Sequence, residues 1–88
     1  MHERETERIL KAFANRRRML IAKHLARVRR ASVGEIASHI KLSLRATSKH
    51  LHIMAAAGVL DREQVGLTVW YFLSVPMPRL VRSIVAEL

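Results

Sequence analysis

Apolar residues recur along the first two thirds of this chain at three- and four-residue intervals, the period of amphipathic helices. Ile9, Leu10 and Phe13 stand behind a run of alternating Glu and Arg over residues 3–13. There Arg4–Glu7 and Glu7–Lys11 have the spacing of neighbours on one helix face. Asn15 offers an N-cap, and Met19, Leu20, Ile21, Ala22, Leu25 and Val28 continue at helical spacing to about Arg29. Ser32-Val33-Gly34-Glu35 has the form of a capping box, opening a short helix with Val33, Ile36, Ala37 and Ile40 on one face. Lys41-Leu42-Ser43 breaks that helix, and Ser43 can cap the next, from Leu44 to Ala57, with Gly58 placed for a left-handed stop. Two helices joined by about three residues, the second capped by serine, are the pattern of a helix-turn-helix.

Beyond Gly58 the period changes. Val59–Val65 and Leu67–Ser74 are two short segments around Gly66, the second rich in Val, Trp, Tyr and Phe, and they predict a β-hairpin. Pro76 and Pro78 end it, and Leu80, Val81, Ile84, Val85 and Leu88 form the apolar stripe of a last helix. The expected fold is therefore mainly α with a small β-hairpin. It is a winged helix-turn-helix of four helices, a two-stranded wing and a C-terminal helix, a single domain over 1–88. The expected core is Leu20, Leu25, Ile36, Ile40, Leu51, Met54, Val69 and Tyr71.

Charge changes the picture most. Lys and Arg number 16 against 7 acids, a formal net charge of +9. Residues 1–52 hold 13 of the basic residues and four acids; residues 53–88 hold three of each. The whole excess lies in the helical part, as expected for a footprint on a polyanion. Cysteine is absent, which excludes disulfides and thiolate metal sites. The histidines form no convergent set with carboxylates, so neither a metal nor another cofactor is expected. No glycine-rich phosphate loop or cysteine nucleophile suggests an enzyme. No apolar run approaches the ~20 residues of a membrane span, and the charged N-terminus lacks a signal-peptide core. A cytoplasmic protein with no membrane partner is the expectation.

Several short motifs resemble the ArsR-type (arsenic-repressor-like) family of winged-helix regulators. Leu42-Ser43-Leu44-Arg45-Ala46-Thr47-Ser48-Lys49-His50-Leu51 resembles that family's Leu-Ser-x-x-x-Val-Ser-Arg-His-Leu. Ala57-Gly58-Val59-Leu60 resembles Ala-Gly-Leu-Val, and Val69–Leu73 a second wing strand. Phe13-Ala14-Asn15-Arg16-Arg17-Arg18 stands where the family has Leu-Ala-Asp-Pro-Thr-Arg, so the helix-start proline is missing while a cap remains. The family's cysteine metal motif is absent, and Leu67 occupies a wing tip where basic residues are usual.

With Leu51 as the buried reference and about 100° per residue, Leu44, Thr47, Met54 and Ala55 turn toward the core. Arg45, Lys49, His52 and Ala56 turn outward, with Ser48 and His50 flanking. The outward groups suit the major groove, where Arg and Lys donate to guanine. The candidate DNA contacts are Ser43, Arg45, Ser48, Lys49, His50 and His52 on this helix, with Arg29, Lys41, Arg62 and Gln64 around it. Arg27 and Arg30 are further phosphate candidates. Arg16, Arg17 and Arg18 oppose the dipole of their own helix, which either a phosphate or Glu3, Glu5 and Glu7 could offset. Ile9, Leu10, Phe13, Leu80, Val81, Ile84, Val85 and Leu88, on the terminal segments 1–14 and 78–88, are the candidate dimer interface, an interface the family resemblance also implies. The expected function is a sequence-specific regulator binding double-stranded DNA as a homodimer; a non-specific nucleoid-type DNA or RNA binder and a protein-interaction winged helix are the alternatives. The sequence names no small-molecule effector.

Overall fold

A computed structural model describes residues 2–88, so Met1, counted above with the first terminal segment, lies outside the described residues. The elements run α1 (Glu3–Phe13), α2 (Arg16–Val28), β1 (Ala31–Ser32), α3 (Val33–Ile40), α4 (Leu44–Ala56), β2 (Leu60–Val65), β3 (Thr68–Leu73) and α5 (Arg79–Glu87). The boundaries follow from local chemistry. Asn15 accepts from the Arg18 amide, and Ser32 and Glu35 close a reciprocal capping box. Ser43 Oγ accepts from the Ala46 amide at 3.1 Å. At the end of α4, Gly58 turns left-handed (φ 78°), its amide donating to Ala55 and that of Val59 to Met54. This paired return is the Schellman stop.

The two-stranded hairpin expected is present as β2 and β3, and a third strand joins it. A three-stranded antiparallel sheet forms in the order β1-β3-β2, with Ala31 opposite Tyr71 and Ser32 opposite Trp70. A strand of two residues carries no period, so only its partner reveals it. Register sorts the sheet's faces: Leu60 pairs with Leu73, Arg62 with Tyr71 and Gln64 with Val69. These six share one face, because side chains alternate along a strand. That face is core at its base, where Leu60, Tyr71 and Leu73 are buried, and becomes solvent-facing where Arg62 and Gln64 project beyond the body. Asp61, Glu63, Trp70 and Phe72 share the opposite face.

One core joins all five helices to the sheet. Ile21, Leu25, Ile36, Leu51, Met54, Val59, Leu60 and Val81 are its most fully buried large side chains. Two expected core positions differ. Leu20 is 41% exposed, since α2 turns Ile21, Ala22 and Leu25 inward instead. Leu44 is 60% exposed, because the first turn of α4 overhangs the core that Thr47, Leu51 and Met54 enter. Val69 is half-buried against the core.

The terminal helices also differ from expectation. Ile9, Phe13 and Val81, read as interface residues, are buried within the subunit, at 3%, 5% and 0% exposure. They anchor α1 and α5 to the body rather than facing outward. Leu10 is exposed, and Leu80, Ile84, Val85 and Leu88 are half-buried. No helix among the described residues is long and apolar enough to cross a membrane.

Candidate nucleic-acid interface

The helix-turn-helix is α3, a turn at Lys41–Ser43, and α4. Lys41 takes left-handed backbone angles (φ 55°, ψ 52°), and the Leu42 amide reaches back to the Ala37 carbonyl at 3.0 Å. The turn drops Leu42 against the core and leaves Lys41 and Ser43 exposed. On α4, burial of Thr47, Leu51 and Met54 at intervals of four and three orients the rest of the helix. Arg45, Lys49 and His52 consequently stand in solvent on one side, with Ser48 half-buried beside them. No ion pair uses these side chains; among the described residues the only ion pair is Lys11–Glu7, at 3.9 Å.

His50 has an internal partner. Its Nδ1 lies 3.2 Å from Arg18 Nη1. Arginine only donates, so Nδ1 accepts and the ring proton sits on Nε2. Burial, then the charges of Arg18 and Arg17, hold the His50 pKa below the ordinary histidine value. It is thus a neutral group offering one donor.

Arg18 itself settles part of the Arg16–Arg18 question. Its Nε donates to the Ala12 carbonyl at 2.7 Å and its Nη2 to that of Lys11 at 3.2 Å. Those carbonyls end α1, where the helix dipole is negative. For Arg18, the offset that a phosphate or Glu3, Glu5 and Glu7 could supply comes from backbone oxygen. Arg18 therefore ties α1 and α2 to α4, a role the triple-arginine run signalled only as a misplaced charge.

The remaining candidates separate. Arg62 and Gln64 are exposed on one face of the wing, where Gln64 Nε2 donates to the Gly66 carbonyl at 3.3 Å. Leu67 is fully exposed at the tip. Arg29 and Arg30 lie by the other face of the sheet, Arg30 with its guanidinium 4.5 Å from the Trp70 ring centroid and Arg29 beside Phe72. Tertiary structure thus groups Lys41, Ser43, Arg45, Ser48, Lys49 and His52 on the turn and the face of α4, and sets Arg29 and Arg30 apart from them.

Of the other histidines, His24 on α2 and His39 on α3 stack at 3.8 Å between ring centroids. Burial foremost, then His39 and Arg27, lower the His24 pKa, against an opposing pull from Glu35. Among the described residues no three His, Asp, Glu or Cys side chains converge on a metal position.

A capped helix with a basic, unpaired outer face, preceded by a short helix and followed by a hairpin, defines a winged helix-turn-helix domain. No family model and no curated protein matches the chain. Solved structures do. HlyU from Vibrio cholerae N16961 is 31% identical, over 99% of this chain and 92% of that one, with a TM-score of 0.84. The transcriptional repressor PagR of Bacillus anthracis is 26% identical, over 96% and 92%, with a TM-score of 0.81. The homodimeric winged helix-turn-helix DNA-binding domain of Mb0332 from Mycobacterium bovis, a possible ArsR-family regulator, is 25% identical. It matches over 96% of this chain and 74% of that one, with a TM-score of 0.82. The chain belongs to the ArsR family of winged helix-turn-helix transcriptional regulators.

Proposed function

We propose that the protein binds double-stranded DNA sequence-specifically, as a homodimer, with α4 in the major groove. The observation that carries this reading is the outer face of α4: Arg45, Lys49 and His52 exposed, and none of them engaged in an ion pair. Arg45 and Lys49 are the base-reading residues, able to donate to guanine O6 and N7. Ser48 and His52 hydrogen-bond bases or phosphate. Lys41 and Ser43 meet the backbone at the helix start, where the amides and the dipole also favour an anion. Leu44, exposed on the first turn, adds an apolar contact of the kind that recognises a thymine methyl. Arg62 and Gln64 serve the wing.

Side chains that carry both donors and shape favour base reading over the uniform backbone contact of a nucleoid protein. Selection from a random duplex pool tests this directly. The expected outcome is an enriched motif with two related halves. Arg45→Ala or Lys49→Ala should cost about 1–3 kcal/mol on that motif and relax one position. Tight binding with no enriched motif, or equal losses on motif and random DNA, would overturn the specific reading in favour of the non-specific one.

A further inference from the structure

A cleft of 490 Å³ opens between the C-terminal end of α2, β3 and α5, away from the face of α4. Ala26, Phe72, Met77 and Val85 supply apolar walls, and Arg29 and Arg30 supply cations. No acidic residue lines it, and neither arginine is in an ion pair among the described residues. Ser74, also at its edge, already donates its hydroxyl to the Gly58 carbonyl at 2.8 Å. Beside Ser74, the polar side chains at the cleft are the two arginines, Arg30 with its guanidinium over the Trp70 ring. Arg29 holds φ 78° and ψ −50°, angles that a residue with a side chain rarely adopts, right where the chain leaves α2 and enters β1. Backbone kept in such a conformation concentrates at ligand-holding positions.

We propose that this cleft binds a small organic anion, a carboxylate or sulfonate carried on an apolar body. The head group pairs with Arg29 and Arg30, whose planar forks match such oxygens. The body lies between Ala26, Phe72, Met77 and Val85. A bare inorganic anion leaves the apolar walls wet, and an uncharged apolar molecule desolvates two guanidiniums without pairing them. The volume lies within the range of small-molecule sites. The cleft shares no residue with the outer face of α4, so anion binding by the free protein is read separately from DNA binding, while Val85 borders both the cleft and the surface proposed for pairing.

The probe is 8-anilinonaphthalene-1-sulfonate, titrated into the DNA-free protein and followed by dye emission and by quenching of Trp70, the chain's single tryptophan. Saturable binding of one dye per chain is expected, displaced by decanoate but not by decyltrimethylammonium at equal concentration. Ala26→Trp, at an exposed position of α2, should fill the cleft and weaken dye binding by at least about tenfold, as should Arg29→Gln with Arg30→Gln. Circular dichroism should show all variants folded. Absence of saturable binding, equal displacement by the cation, or unchanged affinity in the folded variants would overturn the proposal. So would an Ala26→Trp protein that changes oligomeric state yet binds dye normally, since a second copy would then occupy the cleft.

Discussion

Thr47 is completely buried in the middle of α4, and its hydroxyl has no hydrogen-bond partner among the described residues. An unpaired buried hydroxyl costs about 1–3 kcal/mol, while valine has the same shape without the polar atom. Thr47→Val should therefore stabilise the protein by about 1 kcal/mol, read as a higher urea midpoint at constant slope. A lower midpoint would show that Thr47 is satisfied. His24 and His50 give a second expectation at this scale. Both have pKa values lowered by burial and neighbouring cations, His24 also by the stacked His39. The unfolded chain then takes up protons at the ordinary value near 6.5, before the folded one does. Their contribution is present in full above about 6.5 and is lost as pH falls through the depressed folded values. Urea midpoints should fall on acidification below that point, and less steeply in His24→Gln with His50→Asn, whose amide oxygen keeps an acceptor for Arg18. A midpoint unchanged between neutral and mildly acid pH would contradict this.

At the scale of elements, Arg18 joins three helices. It caps the last turn of α1, lies in the first turn of α2 and braces His50 on α4. Arg18→Met keeps the aliphatic stem but leaves those acceptors without the cation. A loss of about 1.5–3 kcal/mol is expected, the usual range for hydrogen bonds to a charged group. Amide exchange in α1 should rise more than in β2 and β3, because the clamp is local. A uniform rise across the domain, or no loss at all, would remove Arg18 from this role. The sequence marks this residue only indirectly. A cation in a helix's first turn is electrostatically unfavourable there, and the acceptor that resolves it belongs to another helix.

The homodimer proposed above depends on the whole molecule. The chain extends 36 × 25 × 21 Å and carries one helix-turn-helix. On the proposed function, reading two half-sites about 34 Å apart on one face of DNA takes two copies. With Ile9, Phe13 and Val81 committed to the subunit core, the surface left for pairing on α1 and α5 is Leu10 with the half-buried Leu80, Ile84, Val85 and Leu88. Leu10 is the position to change, because its exposure separates pairing from folding. Leu10→Arg should yield a folded monomer with weakened motif binding, measured by sedimentation and circular dichroism. An unmodified protein that is monomeric at tens of micromolar with DNA present would sink the dimer.

Helices, caps and hairpin were legible in the chain itself, since each rests on interactions within a few residues. The period of the apolar positions, Asn15, Ser32, Glu35 and Ser43 at helix starts, and Gly58 and Gly66 at left-handed turns act locally. The outward face of α4 followed from the same period. What the tertiary structure decided depends on atoms far apart in sequence. It pairs Ala31–Ser32 with β3, gives Arg18 the carbonyls of α1 and the ring of His50, and stacks His24 on His39. It also buries Ile9, Phe13 and Val81 while exposing Leu20 and Leu44. A helical stripe states which side chains are apolar and share a face; only the neighbour that packs there determines whether that face meets its own core, solvent or a partner.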